Sequence, residues 1–350
     1  MAYHLDKRKK LILKVVTDDY IESAEPVGSR TIARKYELGL SPATIRNEMS
    51  DLEESGFLEQ PHTSAGRIPS EQGYRYYVDS LMSLQKLTAQ EIEAIHRKLE
   101  QHHHQLETII HQTSKILVQL TQYPSLVLSP DTRSARFRHI QLIRLVSNAI
   151  LVLIVTDTGY VENKVVEFEG EISDEDLERI SAVLNQKLRG VNLKDIRMSL
   201  LNEIRSELSF REEFFNEAVK LLQKIATQGS VTKERVLLDG ATKILDQPEF
   251  SSMKKFKPLM DILEEEDKLY KLLSMYVDRG SQVVIGHENE ELGISDCSII
   301  TASYEIGGRP VGVIGVLGPT RMDYAKVLPI VEYTAGILSE LLTQTFKRTK

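Results

Sequence analysis

The sequence predicts a multidomain α+β protein, and three features of the chain support that fold class. Its 350 residues are enough for two or three domains. Short helical and strand patterns alternate within residues 1–84. Farther along, β-rich runs lie on both sides of a long helical block, which is typical of one α+β domain that carries an insertion.

Helical periodicity and capping residues predict the N-terminal elements. Apolar residues recur at helical spacing over residues 5–22, and Ser29 is a preferred N-cap for the short helix that follows. Ser41-Pro42 combines a capping side chain with proline at the first helical position, so it predicts the start of a third helix. We expect helices over 5–22, 30–36, 42–54 and 70–84, and strands over 57–59 and 68–69, with a polar loop over 61–67.

Three helices followed by a strand, a polar loop and a returning strand are typical of a winged helix-turn-helix. In the third helix Ile45, Met49 and Leu52 share one face, which should pack against the first two helices. Small and polar residues lie on the opposite face, near the helix start, and would allow it to enter a DNA major groove. This outward face consists of Ala43, Arg46, Asn47 and Ser50.

The residue types on this face suit base recognition. Arg46 can donate to O6 and N7 of guanine, Asn47 can pair with adenine, and Ala43 or Thr44 can contact a thymine methyl group. Donors in the 61–67 loop would contact phosphates and position the protein. The expected DNA-binding residues are Arg30, Ser41, Ala43, Thr44, Arg46, Asn47, Ser50, His62, Thr63, Ser64 and Arg67.

The charge of the chain does not by itself indicate nucleic acid. The formal net charge is −7, and residues 1–77 hold 11 Lys/Arg and 12 Asp/Glu, a net of −1. Any DNA contact must therefore come from a local patch, to which the basic run from Lys7 to Lys10 would contribute. The alternative is that the helix-turn-helix serves a protein contact and that the Arg46-Asn47 pair is only solvated.

The rest of the chain divides into β-rich and helical parts. A polar, helix-favouring stretch over 85–122 predicts a connecting helix, and turn residues between β-rich runs over 139–168 predict an antiparallel meander. Residues 192–275 are mostly helical and charged. Further strands are expected over 282–286, 297–304 and 310–317, and further helices over 173–188 and 324–346.

No residue cluster indicates a catalytic, metal or cofactor site, so we expect neither an enzyme nor a bound cofactor. The single cysteine, Cys297, excludes an intramolecular disulfide and a cysteine-based zinc site and is typical of a small core residue. The histidines at 102–104, with His96 and His111 nearby, would point in different directions on a helix and cannot all bind one ion. The longest aliphatic run, 149–155, is far shorter than the roughly 20 residues of a membrane span, which favours a cytoplasmic protein.

Longer blocks of sequence carry a family resemblance. Residues 19–30, 40–49, 51–57 and 60–69 resemble the N-terminal signature of HrcA, a family of bacterial heat-inducible transcription repressors. Gly73–Asp79 continues the likeness, and further blocks at 285–289, 307–312 and 318–322 resemble the C-terminal part of the same family.

This resemblance implies a winged helix, a GAF-like domain and an inserted dimerising domain. It also implies a dimer that binds the inverted-repeat operator CIRCE upstream of chaperone operons, and a repressor kept active by the GroEL/GroES chaperonin. The expected limits are 1–84 for the winged helix, 85–122 for the connecting helix, 123–191 with 276–350 for the GAF-like domain, and 192–275 for the dimerising insertion.

One alternative stays open within the same fold. Because GAF-like domains elsewhere bind small ligands, the chain could be a metabolite-responsive regulator whose effector occupies that domain. Tyr304, Glu305 and Arg309 would lie near such a pocket. The glycines at 312, 315 and 318 do not follow a phosphate-loop or dinucleotide pattern and are expected to serve strand packing.

Overall fold

A computed structural model gives a mixed α+β architecture in which every described strand pair is antiparallel. The predicted α+β class is confirmed at this level. The structure describes residues 5–63, 65–100, 106–130, 136–146, 149–157, 161–167, 173–192, 195–196, 235–292 and 294–348.

Residues 5–81 form what we call the N-terminal unit. As predicted, Ser41 caps the third helix by accepting a hydrogen bond from the Thr44 N–H at 3.1 Å. The cap of the second helix was predicted wrongly, because Gly28 occupies the N-cap position and Ser29 is already helical. The helices are α1 (Lys7–Ser23), α2 (Ser29–Lys35), α3 (Pro42–Glu54) and α4 (Glu71–Tyr76), the strands are β1 (Leu58–Glu59) and β2 (Ile68–Pro69), and a π-helical turn (Tyr77–Leu81) follows α4.

The expected apolar face of α3 forms part of the core of the N-terminal unit. Ile45 and Leu52 are fully buried and Met49 is nearly so. They pack in one cluster with residues of α1 and α2, among them Ile12 and Ile32. The opposite face of α3 is therefore fixed outward.

A five-stranded sheet, the core sheet, dominates the rest of the described chain, and its strand order is β7-β3-β10-β9-β8. Alternate residues of its strands belong to two apolar clusters, so helices cover both faces. One face is covered by α6 (Leu106–Thr121) and α10 (Tyr324–Arg348), and the other by α8 (Met253–Leu263) and α9 (Glu266–Ser274). Helix α5 (Ala89–Glu100) packs on α6 and α10. The strands are β3 (Ser125–Leu128), β7 (Val236–Asp239), β8 (Gln282–Ile285), β9 (Cys297–Ile306) and β10 (Arg309–Pro319).

A separate three-stranded sheet confirms the predicted meander. Its order is β4-β5-β6, and helix α7 packs against β4 through Leu177, Ile180 and Leu184. The elements are β4 (Phe137–Val146), β5 (Ala149–Thr156), β6 (Val161–Glu167) and α7 (Asp174–Leu188).

The strand partners differ from the expected division of the chain. Residues 123–191 and 276–350 were expected to form one GAF-like domain, and of the described strands in 123–191 only β3 joins the core sheet. Its neighbour is β7, which lies inside the block expected to be the insertion. Among the described residues, none between Leu128 and Val236 belongs to the core sheet, whereas the insertion was expected over 192–275.

Within the expected connecting helix over 85–122 the structure describes α5 and α6, and residues 101–105 between them lie outside the described ranges. Both helices belong to the core, since Ile95, Leu99, Ile109 and Leu117 are fully buried. Among the described residues, no helix is both long enough and apolar enough to cross a membrane.

Candidate nucleic-acid interface

The outward face of α3 is open at its N-terminal half. Ala43, Arg46 and Asn47 are exposed, and Ser50 is half-buried one turn farther on. Their placement agrees with the helical spacing, while their contacts with bases stay a prediction. The arrangement leaves a narrow polar face that a groove could accommodate.

Ser41 and Thr44 hold the start of α3. Besides the capping bond, their hydroxyl oxygens lie 2.9 Å apart, so each hydroxyl has a partner within the helix terminus. Ser41 is exposed and Thr44 is half-buried. Both therefore stabilise the helix end that is expected to face DNA.

Three of the four acidic residues of α3 are paired with cations from neighbouring elements. Lys9 Nζ lies 3.1 Å from Glu48 and 2.9 Å from Asp51, and an Arg8 nitrogen lies 3.2 Å from Glu48. The hydrogen bonds to Asp51 and Glu48 raise the pKa of Lys9 above its usual value. Glu53 pairs with Arg67 at 2.7 Å. The negative charges in the C-terminal half of α3 are thus largely compensated.

This pairing corrects the expectation for the basic run from Lys7 to Lys10. Arg8 and Lys9 were expected to add positive charge near DNA, but both engage acids of α3. The reason is tertiary, since the first turn of α1 lies beside the C-terminal half of α3, a proximity that sequence spacing does not reveal.

Three arginines supply part of the uncompensated positive charge of the N-terminal unit. Arg30, Arg34 and Arg46 are exposed and form no ion pair with any residue that the structure describes. Sequence analysis missed Arg34, although its spacing of four residues from Arg30 places both on one face of α2. Guanidinium groups of this kind neutralise phosphates and produce salt-dependent binding.

The loop between β1 and β2 is folded back on the unit rather than extended. Gln60 Nε2 donates to the carbonyls of Thr63 and Ala65 at 3.0 and 2.9 Å. His62 and Thr63 are exposed, as a phosphate contact requires, and Ser64 lies outside the described residues.

Arg67 has a different position from the one expected of a phosphate-binding side chain. Its Nε donates to Glu53 Oε2 at 2.9 Å, and its side chain is only 19% exposed. Its backbone N–H and carbonyl both pair with Val27, each at 2.9 Å. Arg67 therefore joins the loop to α3 and to the α1–α2 connection.

We predict that Arg67→Ala destabilises the N-terminal unit by about 1 kcal/mol, because Glu53 loses a two-bond, partly buried partner. Glu53→Gln should cost a similar amount, and the double variant little more than either single change. Denaturant unfolding of the three variants measures this coupling. Additive losses would show that the pair contributes nothing, and Arg34→Ala, an exposed arginine without an ion pair among the described residues, is the control.

Other candidate sites have structural explanations. Tyr304 is fully buried and donates its hydroxyl to the Leu128 carbonyl at 2.8 Å, whereas Glu305 and Arg309 are exposed, so the three do not line one pocket. His96 Nε2 lies 3.0 Å from the Tyr333 hydroxyl. Burial raises the pKa of Cys297 to about 12, which keeps its thiol protonated.

The histidines at 102–104 lie outside the described residues, and the described ones contain no group of three or more His, Cys, Asp or Glu that could hold a metal ion. The arrangement around α3 is therefore the feature of the described chain that the geometry favours as a functional site.

Comparison with known proteins identifies the family of the chain. The family model described as the HrcA protein C-terminal domain matches residues 107–328. The heat-inducible transcription repressor HrcA of Pelotomaculum thermopropionicum is 46% identical over 346 residues, with 99% of both chains covered. The repressor of the same name from Brevibacillus brevis is 44% identical over 344 residues, with 98% of this chain and 100% of that one covered.

A solved structure described as that of a hypothetical protein at 2.2 Å resolution aligns with a TM-score of 0.68 at 25% identity, covering 98% of this chain and 100% of the other. The sequence matches extend through the N-terminal unit as well as the core sheet. The chain belongs to the HrcA family of heat-inducible transcription repressors.

Proposed function

We propose that the N-terminal unit is a winged helix that recognises the CIRCE inverted repeat, and that the protein represses chaperone operons as a dimer. One observation carries the proposal most strongly. The exposed polar face of α3 carries Arg46, and Arg30 and Arg34 on the adjoining α2 are also exposed without an ion pair among the described residues. Three of the four acids of α3, Glu48, Asp51 and Glu53, pair with cations of α1 or with Arg67. Exposed cations on α2 and α3 are therefore available to phosphates, although residues 1–77 carry a net charge of −1.

The residues of the site divide by the contact each would make. Arg46 and Asn47 would donate to base edges, and Ala43 with Thr44 would contact thymine methyl groups. Phosphate contacts would come from Arg34 and from residues that surround α3, and these position the protein without specifying sequence. The expected phosphate-contacting residues are Arg30, Ser41, Ser50, His62, Thr63 and Ser64.

Dimerisation is proposed because a single winged helix buries only roughly 600–1,000 Å² on DNA, whereas two copies about a two-fold axis match an inverted repeat. We place the dimer contact in the segment that leaves the core sheet between Leu128 and Val236. Its three-stranded sheet exposes large apolar side chains, which support a partner surface there. They are Ile143, Leu145, Val146, Val161 and Val165.

The core sheet, with helices on both faces, is proposed to be the GAF-like domain. The resemblance further implies that GroEL/GroES maintains the active repressor, so that titration of chaperonin by misfolded proteins during heat shock would release the operator. If a metabolite bound in the core-sheet domain controlled the repressor instead, operator affinity would change with the concentration of that metabolite. Such an effector must bind one state of the protein better than the other to shift operator affinity.

The test is binding of the full-length protein to labelled CIRCE duplex and to a scrambled duplex at fixed salt, with and without chaperonin and ATP. We expect selective binding by a dimer that increases with chaperonin. Selective binding that chaperonin does not change would exclude the proposed control and favour an effector or heat itself. Absence of selectivity from folded protein would contradict operator recognition.

A further inference from the structure

The N-terminal unit is fastened to the core sheet through α4. A terminal guanidinium nitrogen of Arg75 donates to the Val283 carbonyl at 2.6 Å, and Nε donates to Glu288 Oε1 at 2.8 Å. Glu288 is itself held by the N–H of Ile285 at 2.8 Å. Because Val283 lies on β8, an edge strand, Arg75 binds a carbonyl that the sheet leaves unpaired.

A second contact lies at the start of α4. The Glu71 carboxylate accepts a hydrogen bond from the His287 N–H at 3.1 Å, and its Oε1 lies 2.7 Å from His287 Nδ1. Gly286 has a φ of 54°, and a Cβ there would lie 2.2 Å from Glu71 Oε1. Glycine at 286 thus allows both the left-handed turn and the close approach of α4.

Arg321 holds the unit from α1. It donates to the Ile21 carbonyl at 2.6 Å and to Glu249 Oε1 at 2.6 Å, and its side chain is only 11% exposed. Ile21 lies in the last turn of α1, where carbonyls lack helical partners. Two helices of the N-terminal unit are therefore fixed by different arginines.

Between these contacts, an aromatic side chain enters the core. Tyr74 of α4 is 2% exposed and belongs to the apolar cluster of the core sheet, with its ring 6.0 Å from that of Tyr324. Because α1 and α4 are both held to the core-sheet part of the molecule and the Tyr74 ring is buried in it, the N-terminal unit is restricted in rotation as well as in separation from the core sheet. The connection is thus a joint with one preferred orientation rather than a flexible tether.

We infer that Arg75 and Arg321 are positioning residues: they set the orientation of each N-terminal unit on the core sheet, and so the separation of the two α3 helices in the dimer. The inference rests on the proposed operator-binding function. A dimer with rigid joints binds half-sites at one separation and rejects others. Weakening the joint should relax this selectivity without changing the affinity of one unit for one half-site.

The first measurement uses the full-length protein and duplexes whose half-site spacer is unchanged or altered by about five base pairs, half a helical turn. The native protein should lose at least roughly tenfold in affinity on the altered spacer. Arg75→Ala and Arg321→Ala should lose much less, with unchanged binding to an isolated half-site. The control Asp296→Asn breaks a 3.0 Å ion pair with Lys255 away from the joint and should behave as the native protein.

The second measurement follows the joint without DNA. Cys297 is buried, so spin labels on Glu37→Cys and Lys271→Cys, both exposed positions, report the distance from the N-terminal unit to the core sheet when the labelled chain is mixed with an excess of unlabelled protein. One narrow distribution is expected for the native joint and a broad one after Arg75→Ala or Arg321→Ala. If either variant fails to fold, Glu71→Gln, which weakens only the half-exposed His287 contact, decides the question.

Folded variants that keep both the narrow distribution and the native spacer preference would overturn the inference. Broadened distances together with relaxed spacing would support it. If the native protein does not prefer operator to other duplexes, the proposed function is contradicted instead. The distance distributions alone would then show whether Arg75 and Arg321 fix the orientation of the N-terminal unit.

Discussion

Gly66→Ala is expected to destabilise the N-terminal unit by about 3 kcal/mol, the upper range for overpacking. A Cβ at residue 66 would lie 2.4 Å from both the carbonyl carbon and the oxygen of Val27, and 2.8 Å from the Pro26 carbonyl carbon. These are backbone atoms, which cannot rotate away as a side chain would. The loop between β1 and β2 must therefore separate from the α1–α2 connection.

The separation breaks a specific set of contacts. Val27 and Arg67 exchange two backbone hydrogen bonds, each 2.9 Å long, and Val27 is buried in the core of the unit. Moving the loop also withdraws Arg67 from Glu53 on α3. We therefore expect operator affinity to fall together with stability, although Gly66 itself need not touch DNA.

Gly28→Ala is the matched control for this prediction. Gly28 lies on the same connection, but a Cβ there would meet nothing closer than Thr31 Oγ1 at 3.7 Å, an ordinary contact. Its cost should be limited to the few tenths of a kcal/mol to about 1 kcal/mol of a poorer N-cap. Denaturant unfolding and operator binding of both variants measure the difference. Equal stabilities would mean that the loop does not need its close approach to Val27.

Sequence signals that act within one element predicted the structure well. Ser41-Pro42 began α3 as expected, because capping depends only on neighbouring residues. The buried and exposed faces of α3 followed from helical spacing for the same reason. Even the wrong N-cap of α2, predicted at Ser29 and observed at Gly28, moves the start of that helix by only one residue.

Features that depend on distant partners could not be predicted. Strands β3 and β7 are four residues each, and their residue patterns do not indicate that they pair with each other across more than a hundred residues of chain. The same limit applies to charge, because Lys9 and Asp51 are far apart in sequence and adjacent in space. The candidate site was therefore predicted by residue type and helical face, while its electrostatic balance required the tertiary structure.

Arg46→Ala is expected to weaken operator binding by about 1–3 kcal/mol, roughly 5- to 150-fold, if its guanidinium donates to a guanine. Arg46 is exposed and has no ion pair among the described residues, so its removal leaves no buried charge behind, and the fold should be unaffected. Binding to scrambled duplex should change little, because a base contact contributes mainly to the specific complex.

Arg34→Ala provides the comparison that separates base recognition from phosphate binding. Arg34 is equally exposed and unpaired within the described chain, but it lies on α2 instead of the outward face of α3. Its loss should weaken operator and scrambled duplex alike and reduce the slope of log affinity against log salt by about 1. If Arg46→Ala shows the same pattern as Arg34→Ala, then Arg46 contacts phosphate, and sequence recognition must rest on Asn47 and the small residues at the start of α3.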